Sequence, residues 1–288
     1  MDKKEIDCVV IHKGYQPYLK YNLEITSKNN NVYLIGDKSL KFLEKIRKNI
    51  TFIDIKKYEE DAKLNFYKNN FINYSTNSFD FEWFCFARVF IINNFLNEFN
   101  LNQIFHIDSD NILLTNINNL HFTNENAFMI PYNQESQRMS ASIHSGLISQ
   151  SFCDEFSVLF EDLYINKKKF DLIEEKIAHH KKYNLPGGIC DMTLYYILHK
   201  ENLLSPQNLF EPLSTLNNEE MLFINHLKSA EGPYGKENFE LKDGKLKIYK
   251  GNSVADIIKN KKIKICNIHY QGGSKQFVNR FTKYKLSY

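Results

Sequence analysis

The stretch Gln103–Leu114, QIFHIDSDNILL, runs from an apolar segment into two aspartates one residue apart, Asp108 and Asp110. An apolar run of this length, bounded by polar residues, predicts a buried strand. Carboxylates are seldom buried without a partner, so a pair at the end of such a strand calls for something positive nearby. Upstream, short β-rich runs alternate with segments of helical spacing. IDCVVIH (6–12), NVYLIGD (31–37) and TFIDI (51–55) read as strands, whereas YLKYNLEITSKN, SLKFLEKIRKN and the region from about Asp80 to Phe99 read as helices. That alternation predicts an α/β fold with a mostly parallel, Rossmann-like central sheet covered by helices on both faces.

Downstream the pattern is less regular. AFMIPY and SGLIS predict strands, FCDEFSVLFEDLYIN and CDMTLYYILHK predict helices, and FELKDGKLKIY predicts a hairpin turning at Asp243-Gly244. IKICNIHY is a last buried strand. No repeat and no Pro/Gly/Ser-rich linker divides the chain, so one domain spanning 1–288 is expected. Its regularly alternating half would cover about 1–115, and its mixed half about 116–288.

Net charge is only +3, with 43% hydrophobic and 25% charged residues, which leaves no global field to favour nucleic acid. Charge is uneven, however. Residues 257–288 carry Lys259, Lys261, Lys262, Lys264, Lys275, Arg280, Lys283 and Lys285 and no acid, which suits a solvated tail, phosphates or an anionic membrane surface. The five cysteines are scattered and odd in number, which disfavours a disulfide framework or structural zinc and fits a reducing cytosol. The N-terminal apolar run is too short for a signal peptide, and no segment is long enough to span a bilayer. Two glycosylation sequons, at Asn49 and Asn73, are read as chance matches in an asparagine-rich chain. A cytoplasmic protein, peripheral at most to the membrane, is the expectation.

An acidic pair at the carboxyl end of a strand in an open α/β sheet lies where ligands bind. If the chain turns after Asp108, both carboxylates reach one cation, and oxygen ligands suit Mg²⁺ or Mn²⁺. An EF-hand loop starting at Asp108 would need glycine at its sixth position and glutamate at its twelfth, where Leu113 and Asn119 stand. An aspartyl-phosphate phosphatase usually has Thr or Val two residues after its second aspartate, near the start of its domain; here Ile112 stands there. The two aspartates would otherwise simply cap a turn. A second segment, NIHYQGGSK (267–275), supplies what the pair lacks. His269 offers a nitrogen to a metal, Gly272 and Gly273 permit close backbone approach, and Lys275 reaches phosphate oxygens.

An apolar strand entering a DxD, IFHIDSD, followed late in the chain by His-x-x-Gly-x-x-Lys, HYQGGSK, resembles the GT-A nucleotide-sugar glycosyltransferases. The resemblance is strongest to the glycogenin-like and lipopolysaccharide hexosyltransferases. It extends from the first strand to Lys275, although only those two motifs are specific. It implies a single GT-A domain that moves a hexose from a nucleoside diphosphate, foremost UDP, to a glycan or glycolipid hydroxyl with Mn²⁺ or Mg²⁺. Three positions depart from the pattern and mark a divergent branch. His144 replaces the asparagine of Asn-Ser-Gly, Met192 replaces a glutamine, and Gln276-Phe277 replaces Pro-Trp.

On this resemblance Asp108, Asp110 and His269 hold the metal, while Asp108 and Ser109 also contact the donor. Lys275 with the backbone of Gly272 and Gly273 holds the diphosphate. Ser145 and Gly146 face the donor sugar. The nucleotide pocket falls to Ile11, His12, Tyr15 (stacking on the base) and Asp37 (on uracil or ribose), although Asp37 equally suits a helix cap. Arg88 would neutralise a phosphate or the DxD carboxylates, or pair with Glu82 or Glu98. Asp191, opening a helix after LPGG, is the catalytic candidate, as a general base or as a stabiliser of anomeric charge. Two rivals remain: a nucleotide-sugar-binding pseudoenzyme and a metal-dependent phosphohydrolase.

Overall fold

A computed structural model describes residues 5–135, 137–227, 239–249 and 252–278. The first strand, β1 (Cys8–His12), is buried along nearly its whole length. Its alternate side chains feed opposite cores: Val9 and Ile11 join one apolar cluster, Cys8 and Val10 the other. Helices on both faces of a sheet require a strand to be apolar on both sides.

After α1 (Pro17–Thr26) the chain lays β2 (Val32–Gly36) and then β3 (Ile50–Asp54) parallel on one side of β1. The helix expected between β2 and β3 is a run of 3₁₀ turns, Lys38–Ile46. Its core residues are Leu40 and Leu43, with Ile46 packed alongside. Spacing of three suits a helix with three residues per turn, which superimposes those side chains.

Two short helices, α2 (Lys56–Glu59) and α3 (Ala62–Asn70), lead to the long α4 (Phe79–Phe99). Ser78 caps α4 at its start, and Asn100 ends it in the left-handed conformation. The chain then crosses to the other side of β1 as β4 (Gln103–Ile107), again parallel. A three-residue strand, β5 (Asn111–Leu113), follows the aspartates.

Beyond residue 116 the sheet continues with β6 (Ala127–Met129) and β7 (Ser142–Ser149). β7 lies antiparallel between β4 and β6. Then come α5 (Gln150–Phe160), which runs on into a π-helical turn at Glu161–Ile165, α6 (Asp171–Tyr183) and α7 (Asp191–Lys200). β8 (Gln207–Asn208) closes the seven-stranded sheet in the order β3-β2-β1-β4-β7-β6-β8. All its strands but β7 run in one direction. The fold is α/β with a mostly parallel central sheet, as the sequence predicts.

One face of the sheet is packed by an aromatic cluster from α4 and α5, including Phe86, Phe90, Phe156 and Phe160. The other is packed by Leu19 and Leu23 of α1 with Leu34, Phe105 and Phe223.

The last part of the chain builds small sheets. β9 (Leu213–Ser214) and β10 (Glu220–Leu222) precede the expected hairpin, formed by β11 (Leu241–Lys242) and β12 (Lys245–Leu246). β13 (Ser253–Asp256) and β14 (Lys261–Ile265) join β10 and β9 in a four-stranded sheet. The predicted strand 263–270 breaks at Cys266, and its second part, β15 (Asn267–His269), pairs antiparallel with β5. That ribbon sets His269 opposite Asn111.

Among the described residues no helix is long and apolar enough to cross a membrane. Much of the basic segment's charge is committed within the fold. Lys261 pairs with Glu220, Lys264 with Glu219 at 2.6 Å, and Lys262 lies over the Tyr249 ring. Arg280, Lys283 and Lys285 lie outside the described residues.

The entry to α7 is held by a close backbone approach. Ser75 bridges to Gly188, and Ile189 N donates to the Tyr74 carbonyl at 3.3 Å. Gly188 has φ +138°, and a Cβ there would stand 2.2 Å from the Tyr74 oxygen. Only glycine fits. Gly188→Ala is expected to destabilise the protein by about 3 kcal/mol, the upper scale for a strained backbone position. Urea denaturation monitored by circular dichroism checks this.

Candidate active site and metal centre

The strand order reverses between β1 and β4: β2 and β3 lie on one side of β1, while β4 lies on the other. In open α/β sheets ligands bind outside the carboxyl ends of the strands at such a point. A cavity of about 840 Å³ opens there. Ile11 and His12 enter it from the end of β1, Asp108, Ser109 and Asp110 from the end of β4, and Arg88 from α4. Asp191 from the start of α7 joins them, with His269, Gly272 and Lys275 from the C-terminal segment. Tyr15, Asp37, Ser145, Gly146 and Gly273 do not line it.

The chain turns directly after Asp108. Asn111 N donates to the Asp108 carbonyl at 3.0 Å, and Asn22 of α1 donates to the same oxygen at 3.0 Å. Tyr270 N donates to the Asp110 carbonyl at 2.9 Å, continuing the β5–β15 ribbon past the acidic pair. The outcome is a group of Asp108, Asp110 and His269 whose ligand atoms all lie within 4.8 Å of one another. Two carboxylate oxygens and one imidazole nitrogen fit a divalent cation such as Mn²⁺ or Mg²⁺.

Existing cations of the protein balance the acids. Arg88 forks across two of them, with Nη1 2.5 Å from Asp108 Oδ1 and Nη2 2.9 Å from Asp191 Oδ2. It makes no ion pair to Glu82 or Glu98, the alternatives that helical spacing left open. Lys275 Nζ lies 3.0 Å from Asp110 Oδ2, and His269 Nε2 lies 3.4 Å from Asp110 Oδ1. Burial, the largest single effect, would raise the Asp108 carboxyl, but Arg88 together with His106, His144 and His269 holds the group well below the usual carboxylate range. Asp110 is also held low: burial opposes its ionisation most, and the His269 hydrogen bond and charge together with Lys275 prevail. Lys275 is raised, since Asp110 beside it outweighs the effect of burial. Both aspartates are thus kept ionised, as metal ligands must be.

Asp191 is nearly sealed from solvent. Besides Arg88 it accepts from the Tyr195 hydroxyl at 3.1 Å and from the Met192 N–H at 2.9 Å. It stands at the first turn of α7. One guanidinium therefore links the acid that opens α7 to the acid that closes β4. Phe81 and Met192 stand exposed at the cavity rim on this side.

The residues that resemblance placed around a base and sugar have other partners. Asp37 caps the 3₁₀ run through Ser39 N at 3.0 Å and accepts from Gly14 N at 2.5 Å, shaping the loop after β1. Tyr15 lies against Phe42 with ring centroids 5.5 Å apart, and both rings are largely exposed. Ser145 Oγ, buried in β7, accepts from Asn111 at 2.7 Å. His12 borders the cavity with its Nε2 sealed and without a partner among the described residues. Its pKa is lowered by burial and then by Lys275, so it meets a ligand as a neutral imidazole.

Sequence reading missed Asn111, Asn225, Asn267 and Tyr195. Single asparagines carry no pattern in this chain; Asn111, immediately after the DxD, is the one with a positional signal.

No protein-family model and no curated protein matches the chain. Among solved structures it is similar to PaToxG glycosyltransferase, at 12% identity over 68% of this chain and 69% of that one, with a TM-score of 0.42. It is also similar to a glycosyltransferase involved in glycosylation of the major capsid of PBCV-1, at 9% identity over 96% and 99% of the two chains, with a TM-score of 0.40. A cytidylyltransferase from Leptospira borgpetersenii serovar Hardjo-bovis matches at 10% identity over 62% and 73%, with a TM-score of 0.29. Superpositions this loose assign no residue a role.

Proposed function

We propose that the protein is a metal-dependent glycosyltransferase of GT-A type, moving a hexose from a UDP-sugar to a hydroxyl of a glycan or glycolipid. The observation that carries this reading is the convergence of Asp108, Asp110, His269 and Lys275 at the sheet's switch point, with Asp191 tethered to Asp108 through Arg88. A bound Mn²⁺ or Mg²⁺ would supply the positive charge that offsets charge growing on a diphosphate leaving group. Lys275, whose ammonium already turns towards Asp110, would share the diphosphate with the open backbone at Gly272. Gly272 takes φ +57° with no atom crowding its Cβ position, so a phosphate can come close to the main chain there. Arg88 fixes the direction of the Asp191 carboxylate by holding one of its oxygens. Asp191 would act on the sugar or the acceptor hydroxyl at the end of the cavity bounded by Phe81 and Met192.

Donor hydrolysis is the direct test. Incubation with UDP-hexoses and Mn²⁺ is expected to release UDP slowly without acceptor and faster with one. Binding of Mn²⁺–UDP with no turnover of any nucleotide sugar would instead establish a binding protein. Hydrolysis of p-nitrophenyl phosphate would establish a phosphohydrolase. Contact with anionic membrane, where a glycolipid acceptor would lie, rests on the acid-free, basic composition of residues 257–288. Vesicle sedimentation at graded ionic strength tests it.

A further inference from the structure

We infer that a buried hydrogen-bond relay through Asn267, Asn111, His144 and Asn225 is the device that holds His269 with Nε2 facing the two aspartates. The inference rests on the reading of Asp108, Asp110 and His269 as metal ligands. His144 stands where the resembling enzymes have an asparagine, and the structure gives it a different task.

The direction of every donor in the relay follows from backbone groups that have one role only. Ile224 N–H is a donor, and it lies 2.8 Å from Asn267 Oδ1, which orients that amide. Asn267 Nδ2 therefore donates to the Ile224 carbonyl at 3.0 Å and to Asn111 Oδ1 at 2.8 Å. Asn111 Nδ2 then donates to Ser145 Oγ at 2.7 Å and to the His144 carbonyl at 2.8 Å, and it faces His144 Nδ1 at 3.1 Å. An amide nitrogen accepts nothing, so a hydrogen on Nδ1 would point at a donor and the ring carries its hydrogen elsewhere. The hydrogen of His144 sits on Nε2, and Nε2 donates to Asn225 Oδ1 at 3.0 Å. The Asn225 backbone carbonyl, an acceptor only, lies 2.5 Å from His269 Nδ1. Nδ1 of His269 thus carries a hydrogen, and Nε2 is the atom presented to Asp110.

Asn111 and Asn267 are fully buried, and His144 and His269 are 3% and 4% exposed. The two imidazoles also pack directly, with centroids 4.2 Å apart. Metal-ligating histidines are commonly oriented by an acceptor on their other nitrogen. Here that acceptor is a main-chain carbonyl, and its loop is pinned by a second histidine. His144 and Asn225 are positioning residues that act through His269.

Mn²⁺ titration followed by electron paramagnetic resonance tests this without recourse to turnover. Wild-type protein is expected to bind Mn²⁺ and to show the electron spin-echo modulation of a directly bound imidazole nitrogen. Asn225→Ala and His144→Phe each remove the side-chain link while keeping all three ligands. Each is expected to weaken Mn²⁺ binding by roughly 10-fold or more, the scale for lost outer-shell partners, and to diminish the nitrogen modulation. Asn225→Asp keeps an acceptor oxygen within reach of His144 and is expected to retain both. Thermal melts identify any variant that fails to fold, and Asn225→Ala, on a partly exposed loop, decides if the buried substitution does. Unchanged Mn²⁺ affinity and modulation in a folded Asn225→Ala would overturn the relay alone. No Mn²⁺ binding by the wild type would overturn the metal site and the relay together.

Discussion

Asp110→Asn is expected to abolish the stabilisation that Mn²⁺ and UDP together confer on the protein. If the proposed site is correct, ligand at 100 times its dissociation constant stabilises the wild type by about 2.7 kcal/mol, and at 1,000 times by about 4.1 kcal/mol. For a chain of this size that corresponds to a rise in Tm of roughly 5–10 °C. Asparagine keeps the shape of the side chain and removes the charge. It also leaves His269 and Lys275 facing a neutral group, at 3.4 and 3.0 Å in the wild-type geometry. With the carboxylate gone, the Lys275 ammonium stands uncompensated beside the site and repels a cation, so ion binding should fail even though one amide oxygen remains. The melting temperature without ligand should stay near wild type, because Lys275 is partly exposed and water can replace its partner. Differential scanning fluorimetry with UDP, in Mn²⁺ and in excess EDTA, reads the effect. Equal stabilisation of the wild type by UDP in EDTA would show that the acidic pair does not hold a metal.

Asp191→Asn is expected to lower turnover by roughly 100-fold or more while leaving Mn²⁺–UDP binding in place. The prediction separates chemistry from binding because Asp191 reaches the acidic pair only through Arg88. An amide cannot satisfy every partner of the wild-type carboxylate. One oxygen faces Met192 N–H and the other faces Arg88 and the Tyr195 hydroxyl, so one NH₂ must meet a donor. Tyr195 can rotate its hydrogen away and accept, but Arg88 cannot. A loss of stability of about 1–3 kcal/mol should therefore accompany the substitution, and a melt must be recorded beside the kinetics. Near wild-type turnover in the folded variant would reduce Asp191 to a helix-terminal acid with no part in the reaction.

The central sheet was legible because its strands are apolar on both faces and α4 between them is long and predominantly apolar. Asp108, Asp110, Arg88, Asp191, His269 and Lys275 could be singled out because each stands in a recognisable local context, and the fold brings them to one cavity. What escaped has physical reasons. α3 buries only Leu64 and Tyr67, and α6 only Ile173 and Lys176, so neither shows a continuous apolar stripe. The small strands are two to five residues long, too short for period-two alternation to separate them from loops. The 3₁₀ run was read as an α-helix because three-residue spacing also satisfies an α-helical pattern. Asp37 takes the helix-cap role that its position before SLKFL already offered, and Tyr15 rests against the exposed Phe42. The asparagine relay was invisible for a different reason: its meaning lies in which amide faces which, and that exists only once distant strands have paired.

The pairing of β5 with β15 also orders events in time. The Asn111–Asn267 hydrogen bond joins residues 156 apart in sequence. At a synthesis rate of roughly 5–20 residues per second, about 10–30 s separate their emergence from the ribosome. When that interval begins only β1, β2, β3 and β4 of the central sheet have been made, β6, β7 and β8 are added during it, and Asp108 and Asp110 still lack their histidine and lysine. A nascent chain at this stage has two carboxylates and Arg88, a set too weak to retain a cation selectively. An ion held at the proposed site would therefore be a late arrival that seals a finished sheet and could not template it. Refolding in excess chelator should restore the full circular dichroism of the wild type, with metal affinity appearing only after the C-terminal strand has docked.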